Sequence, residues 1–463
     1  MKKLIKINII YIILIIMILI SLCNLKGIGQ SEIQLEYFRI MSDGFFYYTY
    51  LPATFIFHDQ DLNFLNNIVS IQLLNEFNCH GYIKYPCGVA MFQLPFFFIA
   101  HFITLIINRA IANGYSLIYQ IFMLISAIFY YSLGITFCYQ IIKKFFNKKL
   151  ASLIVLAITF GTGLFHYTIY EFSMSHVYSF FSISLFTYLL IYDNKIKIKN
   201  FNKILNEIFK SFIFGVSLGL ITVVRNINFL MIIFYILYGV RNRKTLKYRL
   251  YKILRPQNII PFIIGFTLVM IPQFMYWYNR TGHIIINSYH PDYYIDTYDE
   301  IQYDDFPYLT HPQTLAQLFS LRCGLFVYYP VLLFSIAGIF KYKKYFKKFI
   351  YSIPIFGIII IYLLSSFNCW TGGASFGLRF YVDYVVIFAM LMASFLNEIF
   401  IKDNKKLIKN VLCLFWICIV LTIIMQQLVY NGLSDDEGNI FNSPISTFEY
   451  IFDSVSEFFS ILF

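Results

Sequence analysis

Residues 116–149 read SLIYQIFMLISAIFYYSLGITFCYQIIKKFFNKK. The first 26 of these carry no charge, and the last eight hold four lysines. About twenty apolar residues suffice for a helix to cross the hydrocarbon of a bilayer. Lysine and arginine collect at the cytoplasmic ends of such crossings. This one stretch therefore predicts a membrane helix and also its direction, with residues 143–149 inside.

The same pattern recurs on both sides of it. Further apolar runs cover 4–22, 150–166, 177–192, 257–277, 323–340, 349–366, 379–400 and 407–430, and a longer one, 211–240, is interrupted by Arg225-Asn226. The run 4–22 resembles a signal peptide, but its length and the lack of a small-residue cleavage site predict an uncleaved first span. Charged residues make up 13% of the chain, against about 25% in soluble domains. The expected fold is an all-α polytopic membrane protein of about eleven helices (ten to twelve). One domain over 1–430 is expected, then a short extracytoplasmic tail, 431–463.

The net charge of +12 does not indicate nucleic acid, because the cations sit in short clusters between apolar runs. Six clusters, at 2–6, 143–149, 195–210, 241–255, 341–348 and 402–409, hold 28 of the 36 lysines and arginines. The positive-inside rule assigns all six to the cytoplasm. For that to hold, 87–108 must be re-entrant or interfacial, which leaves 23–115 as one long external loop with juxtamembrane helices. A second external loop spans 278–320. The scattered acids and arginines then fall on the extracytoplasmic face, and so does any chemistry. No GxxxxGK[ST] loop, Rossmann fingerprint or soluble cytoplasmic domain offers a nucleotide site. The eight cysteines show no metal spacing; Cys79 and Cys87 are a possible external pair or two thiols.

Several residues on that face are candidates. Asp43 is a carboxylate expected to be partly desolvated, with a raised pKa suited to a base; it equally suits a helix N-terminus. Lys84 precedes the ambiguous apolar run and suits a phosphate or a snorkelling position. Glu171 and His176 lie in a short loop between two spans, where charge is costly without a role. Arg225 interrupts an apolar run, and broken spans occur where they are protein-buried or line a cavity. Arg322 and Arg379 stand at the outer ends of two further spans. Asp383, four residues after Arg379, is expected to pair with it. Residues 370–379, WTGGASFGLR, permit close backbone approach to a ligand. Residues 276–312 are dense in tyrosine, aspartate and histidine, including Tyr289, and suit either an interfacial belt or a sugar groove.

Taken in order, these segments resemble the GT-C family of polytopic glycosyltransferases. Protein O-mannosyltransferases and lipid A aminoarabinose transferases are similar members. The carrying features are Asp43 early in the first external loop, Lys84-Tyr85-Pro86, and Phe-Gly-Thr-Gly-Leu-Phe-His-Tyr before Glu171. They continue with Gly-Leu-Ile-Thr-Val-Val-Arg225, Ser320 to Pro330, and Trp370 to Asp383. The resemblance implies a sugar donor carried on polyprenyl phosphate and a hydroxyl acceptor on a glycolipid, polysaccharide or protein. It implies Asp43 as the base and Glu171 as the group orienting the acceptor. Lys84 and Arg225, with Arg322 or Arg379, would hold the donor phosphate, and His176, Trp370 and Tyr289 would contact acceptor or sugar. Many relatives carry paired acids where this chain has Asp43-Gly44, so a divalent metal is not favoured. The alternatives are a lipid-linked sugar flippase or transporter, and a polysaccharide ligase or polymerase. A plasma- or inner-membrane location follows from either reading.

Overall fold

The computed structural model describes residues 43–67, 82–198, 201–288, 306–373 and 375–430, together with Ile13, Met17 and Ile40. Among these residues all regular structure is helical. The α-helices of six or more residues are α1 (Asp43–Phe55), α2 (Gly88–Ile107), α3 (Leu117–Phe145), α4 (Lys148–Phe160), α5 (Leu164–Ile169), α6 (His176–Ile191), α7 (Lys203–Val224) and α8 (Ile232–Leu237). They continue with α9 (Arg243–Leu254), α10 (Pro256–Thr281), α11 (Thr314–Phe319), α12 (Leu333–Ile339), α13 (Ser352–Ser366), α14 (Val385–Ile401) and α15 (Lys405–Tyr430). The run 4–22 lies outside the described residues, Ile13 and Met17 excepted.

Among the described residues six helical stretches are long and apolar enough to cross a membrane: α2, α3, α7, α10, Arg379–Ile401 and Lys405–Leu428. Four shorter apolar stretches are His176–Ile191, Asn226–Leu237, Pro330–Ile339 and Ser352–Ser366. Two runs expected to be continuous are broken. The run 150–166 is cut at Gly161–Gly163 between α4 and α5. The run 323–340 is cut at Pro330, which has no N–H for the helical ladder. The expected break at Arg225 is present: α7 stops at Val224 and a 3-10 turn, Asn226–Met231, follows. Large apolar side chains stay exposed on α10 (Ile260, Ile263, Ile264, Leu268) and α15 (Leu414, Ile417, Val420, Leu421). Faces this apolar belong against lipid, since water would drive them to associate.

Among the described residues the lysine clusters gather at one end. Lys144 donates to the Ile191 carbonyl at 2.6 Å, Phe145 packs on Phe346 at 4.5 Å, and Lys344 pairs with Glu398 at 2.6 Å. Gly239 N–H donates to the Lys348 carbonyl, and Lys210 faces Asp193 at 3.9 Å. Asparagine side chains start three helices at this end. Asn147 accepts from Leu150 N, Asn202 from Leu205 N, and Asn242 forms a capping box with Thr245, each satisfying an N–H that the helix leaves open. From here α7 and α10 run together. A Cβ on Gly215 would stand 2.0 Å from the Phe262 carbonyl oxygen, so this small-xxx-small pair with Gly219 lets two backbones touch, as membrane helices commonly do.

Helix α2, long enough to cross, packs antiparallel along the first half of α3. Its start meets the middle of α3, with Phe92 on Tyr130 at 4.8 Å. Its later part meets the start of α3, with His101 Nδ1 and Tyr119 Oη 2.5 Å apart. From Tyr130, α3 continues roughly 20 Å further to Lys143 and Lys144 at 1.5 Å per residue. Helix α2 therefore packs in the half of the bundle away from Lys143 and Lys144.

Candidate functional site

Five chain interruptions meet in that second half: the start of α1, the turn at Lys84–Cys87, the 166–176 turn, the break after Val224, and the segment 370–384. Polar groups can sit at this depth because side chains take over hydrogen bonds that helices no longer make. The Lys84 segment shows how. Ile83 N–H donates to Tyr276 Oη at 2.6 Å, Cys87 N–H donates to Gln273 Oε1 at 2.7 Å, and the Tyr85 carbonyl accepts from Tyr50 Oη at 2.7 Å. Helices α10 and α1 thereby fix the strand of chain that presents Lys84 and Tyr85. Cys79 lies outside the described residues.

Two ion pairs lie side by side. Arg379 Nη2 stands 2.9 Å from Asp43 Oδ2, and Tyr85 Oη donates to Asp43 Oδ1 at 2.7 Å. Arg225 Nη1 donates to Asp383 Oδ2 at 3.0 Å, the same oxygen accepts from Asn228 Nδ2 at 3.0 Å, and His176 Nδ1 stands 2.8 Å from Asp383 Oδ1. Asn228 also donates to Ser179 Oγ and accepts from Tyr384 Oη. The Phe380 ring lies between the guanidiniums, 5.1 Å from that of Arg225 and 5.8 Å from that of Arg379, within cation–π range of both.

The expected Arg379–Asp383 pair is not formed. Residues Arg379–Tyr384 make a 3-10 turn, whose three residues per turn put i and i+4 about a third of a turn apart. Arg379 turns to Asp43 and Asp383 turns to Arg225. The expected rise in the Asp43 pKa is also reversed. Burial pushes its carboxyl up, but Arg379, the Tyr85 hydroxyl, Lys84 and His176 outweigh it and hold the pKa below its ordinary 3.8.

A third pair borders the first two: His166 Nε2 stands 3.0 Å from Glu171 Oε1. The opposite ring nitrogen, Nδ1, is buried with no hydrogen-bond partner among the described residues. Glu171 acts electrostatically on Arg379, which ties this pair to the first. Accessibility separates the acids. The Glu171 and Asp43 side chains are 30% and 23% exposed, whereas Asp383 is 0% exposed behind three partners. Asp43 and Glu171 can meet a ligand; Asp383 can only hold Arg225, Asn228 and His176 in place.

Gly44 decides how closely α1 approaches. A Cβ there would lie 2.0 Å from Ser173 Oγ and 2.8 Å from Ser173 Cβ. No second acid fits beside Asp43 without moving the 170–175 turn. Among the described residues no three His, Cys, Asp or Glu side chains converge as a metal site.

The remaining candidates lie at the border of this cluster or beyond it. Lys84 is half-buried with its ammonium 5.5 Å from the Tyr85 ring centroid, and its charge acts on Asp43. Arg322 is exposed and its charge acts on the neighbouring Cys323. Trp370 is half-buried; its carbonyl accepts from Gln317 Nε2 at 3.1 Å, and Gln317 Oε1 accepts from Tyr381 Oη at 2.8 Å. That anchors the loop carrying Gly372, whose Cα backs the Arg379 side chain. Tyr289 lies outside the described residues. Sequence reasoning assigned nothing to Tyr85, Asn228, His166 or Phe380. Asn228, a polar residue three beyond an intramembrane arginine, carried a readable signal, whereas the aromatic pair did not stand out in a chain that is 21% aromatic. Comparison with protein-family models, curated proteins and solved structures finds no match.

Proposed function

We propose that this chain is an inverting membrane glycosyltransferase that moves a sugar from a polyprenyl-phosphate carrier to a hydroxyl acceptor. In this reading the lysine-rich end lies in the cytoplasm, as the positive-inside rule demands. The site opens on the extracytoplasmic face of the plasma or inner membrane, within a bundle of about eleven spans. The observation that carries the reading is Asp43, a partly exposed carboxylate held between Arg379 and Tyr85, with Lys84 and Glu171 acting on the same pair and Arg225 against the Phe380 ring that Arg379 also faces.

The acceptor hydroxyl attacks the anomeric carbon as its proton passes to an Asp43 oxygen. The bond from that carbon to the phosphate oxygen breaks, and polyprenyl phosphate leaves with the electron pair. Negative charge grows on the leaving phosphate, so cations placed there favour the transition state over the ground state. Arg379 links the two tasks. While paired with Asp43 it lowers the carboxyl pKa and weakens the base. A donor phosphate that draws Arg379 away restores the basicity of Asp43 when the donor is present. Glu171, steadied by His166, orients the acceptor. Asp383 holds Arg225 and is a positioning residue.

The test is turnover of a polyprenyl-phosphate sugar by purified protein, with mass analysis of envelope lipids and glycoproteins from a deletion strain to identify the acceptor. Asp43→Asn should lose transfer by at least about 100-fold, the scale of removing one catalytic group, at unchanged expression. Near-normal turnover would remove Asp43 from the mechanism, and tight donor binding without turnover by the unaltered protein would favour a flippase.

A further inference from the structure

A second polar site lies at the lysine-rich end, roughly 30 Å from the first along the 22 residues of α7. It is a small, partly open cleft walled by the ends of α6 and α8, the start of α7, α9 and the start of α10. Its charged wall residues are Asp193, Glu207, Lys210, Arg249 and Lys252. The lysines are only loosely paired, Lys210 to Asp193 at 3.9 Å and Lys252 to Glu207 at 3.5 Å, both longer than a good hydrogen bond. Arg249 lies 4.9 Å over the Tyr235 ring and gives one N–H to the Tyr235 carbonyl at 2.7 Å. Its Nε has no hydrogen-bond partner among the described residues. Lys348 lies 4.9 Å from the ring of Tyr238, another wall residue, and Lys195 follows Asp193 by two residues. Positive charge is therefore in excess around an opening that could be filled by an anion.

Two neighbouring features point to a lipid. Helix α9, RKTLKYRLYKIL, buries none of its twelve residues, and Tyr248, Tyr251 and Leu254 are all more than 60% exposed. A basic helix exposing aromatic and leucine side chains suits the headgroup layer of a membrane. At Asn258, on the cleft wall, begins the exposed apolar ridge Ile260, Ile263 and Ile264 of α10, along which an acyl chain can lie.

We propose that this cleft holds the phosphate of an anionic phospholipid, with Lys210, Arg249 and Lys252 on its oxygens and its chains against α10. The test uses the full chain, purified and delipidated in a neutral detergent. Thermal unfolding and native mass spectrometry are followed as phosphatidylglycerol, phosphatidylcholine or inorganic phosphate is added. Phosphatidylglycerol should raise the unfolding temperature and be retained at one copy, and phosphatidylcholine should do neither. Each cation near an anionic lipid is worth about fivefold in affinity, so Lys210→Gln with Lys252→Gln should weaken retention about 30-fold. Lys244→Gln with Lys247→Gln removes the same charge from α9 outside the cleft and should weaken it far less. Should the first pair not fold, Arg249→Lys, which keeps the charge but loses the planar fork, must still lower retention. Equal shifts from both phospholipids, equal losses from both double variants, or phosphate binding as tightly as phosphatidylglycerol would each overturn the proposal.

Discussion

Replacing Asp383 by asparagine removes the negative charge from a carboxylate that is 0% exposed and holds Arg225, Asn228 and His176. The Arg225 side chain, 15% exposed, is then a buried cation without a counter-ion. Breaking such a pair from one side costs about 3–5 kcal/mol. At about 2 °C per kcal/mol for a chain of this size, the thermal midpoint in detergent should fall by about 6–10 °C. Removing both charges should recover most of this, because apolar replacement of a whole buried pair is close to neutral. Asp383→Asn with Arg225→Met should therefore be more stable than Asp383→Asn alone, with a coupling of about 1–3 kcal/mol in the double-mutant cycle. Asp43→Asn provides the contrast. Its side chain is 23% exposed, water screens what remains, and the stability cost should stay near 1 kcal/mol. A midpoint shift for Asp383→Asn no larger than that for Asp43→Asn, or a double variant no better than the single, would refute the assignment of Asp383 as the buried anchor.

Arg379→Met tests the link between donor binding and the base. With a folded pKa below 3.8, Asp43 is ionised throughout pH 5–8, and whatever stability its ion pair adds is present above pH 3.8 and lost as pH falls through the lower folded value. Without Arg379, burial is opposed less, so the acid limb of the turnover profile should move to higher pH while rate falls about 10²–10³-fold; an unmoved limb would separate Arg379 from Asp43. Gly44→Ala should destabilise by about 1–3 kcal/mol through overpacking on Ser173. Ser173→Gly in the same chain should restore most of the thermal midpoint, and failure to do so would show that α1 is held by other contacts.

Much of the site was legible along the chain because charge at membrane depth is rare and costly. Arg225, Glu171, Lys84, Asp43 and Arg379 each stand out against apolar surroundings, and all five come together. Arg322 stood out on the same grounds yet sits exposed beside Cys323. The Arg379–Asp383 expectation failed on local geometry, because i,i+4 pairing assumes an α-helix and the backbone there winds as a 3-10 turn.

Hydropathy and lysine placement are properties of neighbouring residues, so by themselves they determined the helical membrane class, the sorting of charges to one end and the break at Arg225. Partners were decided elsewhere. Asp43 meets Arg379, Asp383 meets Arg225 and His176, and Gln273 meets Cys87 only after α1, α2, α6, α7 and α10 have packed. These contacts join residues distant in the chain, and their geometry follows from how closely backbones approach at Gly44 and Gly215. The downward shift of the Asp43 pKa belongs to the same level, since burial and an opposing guanidinium act in contrary directions and only their distances settle which prevails.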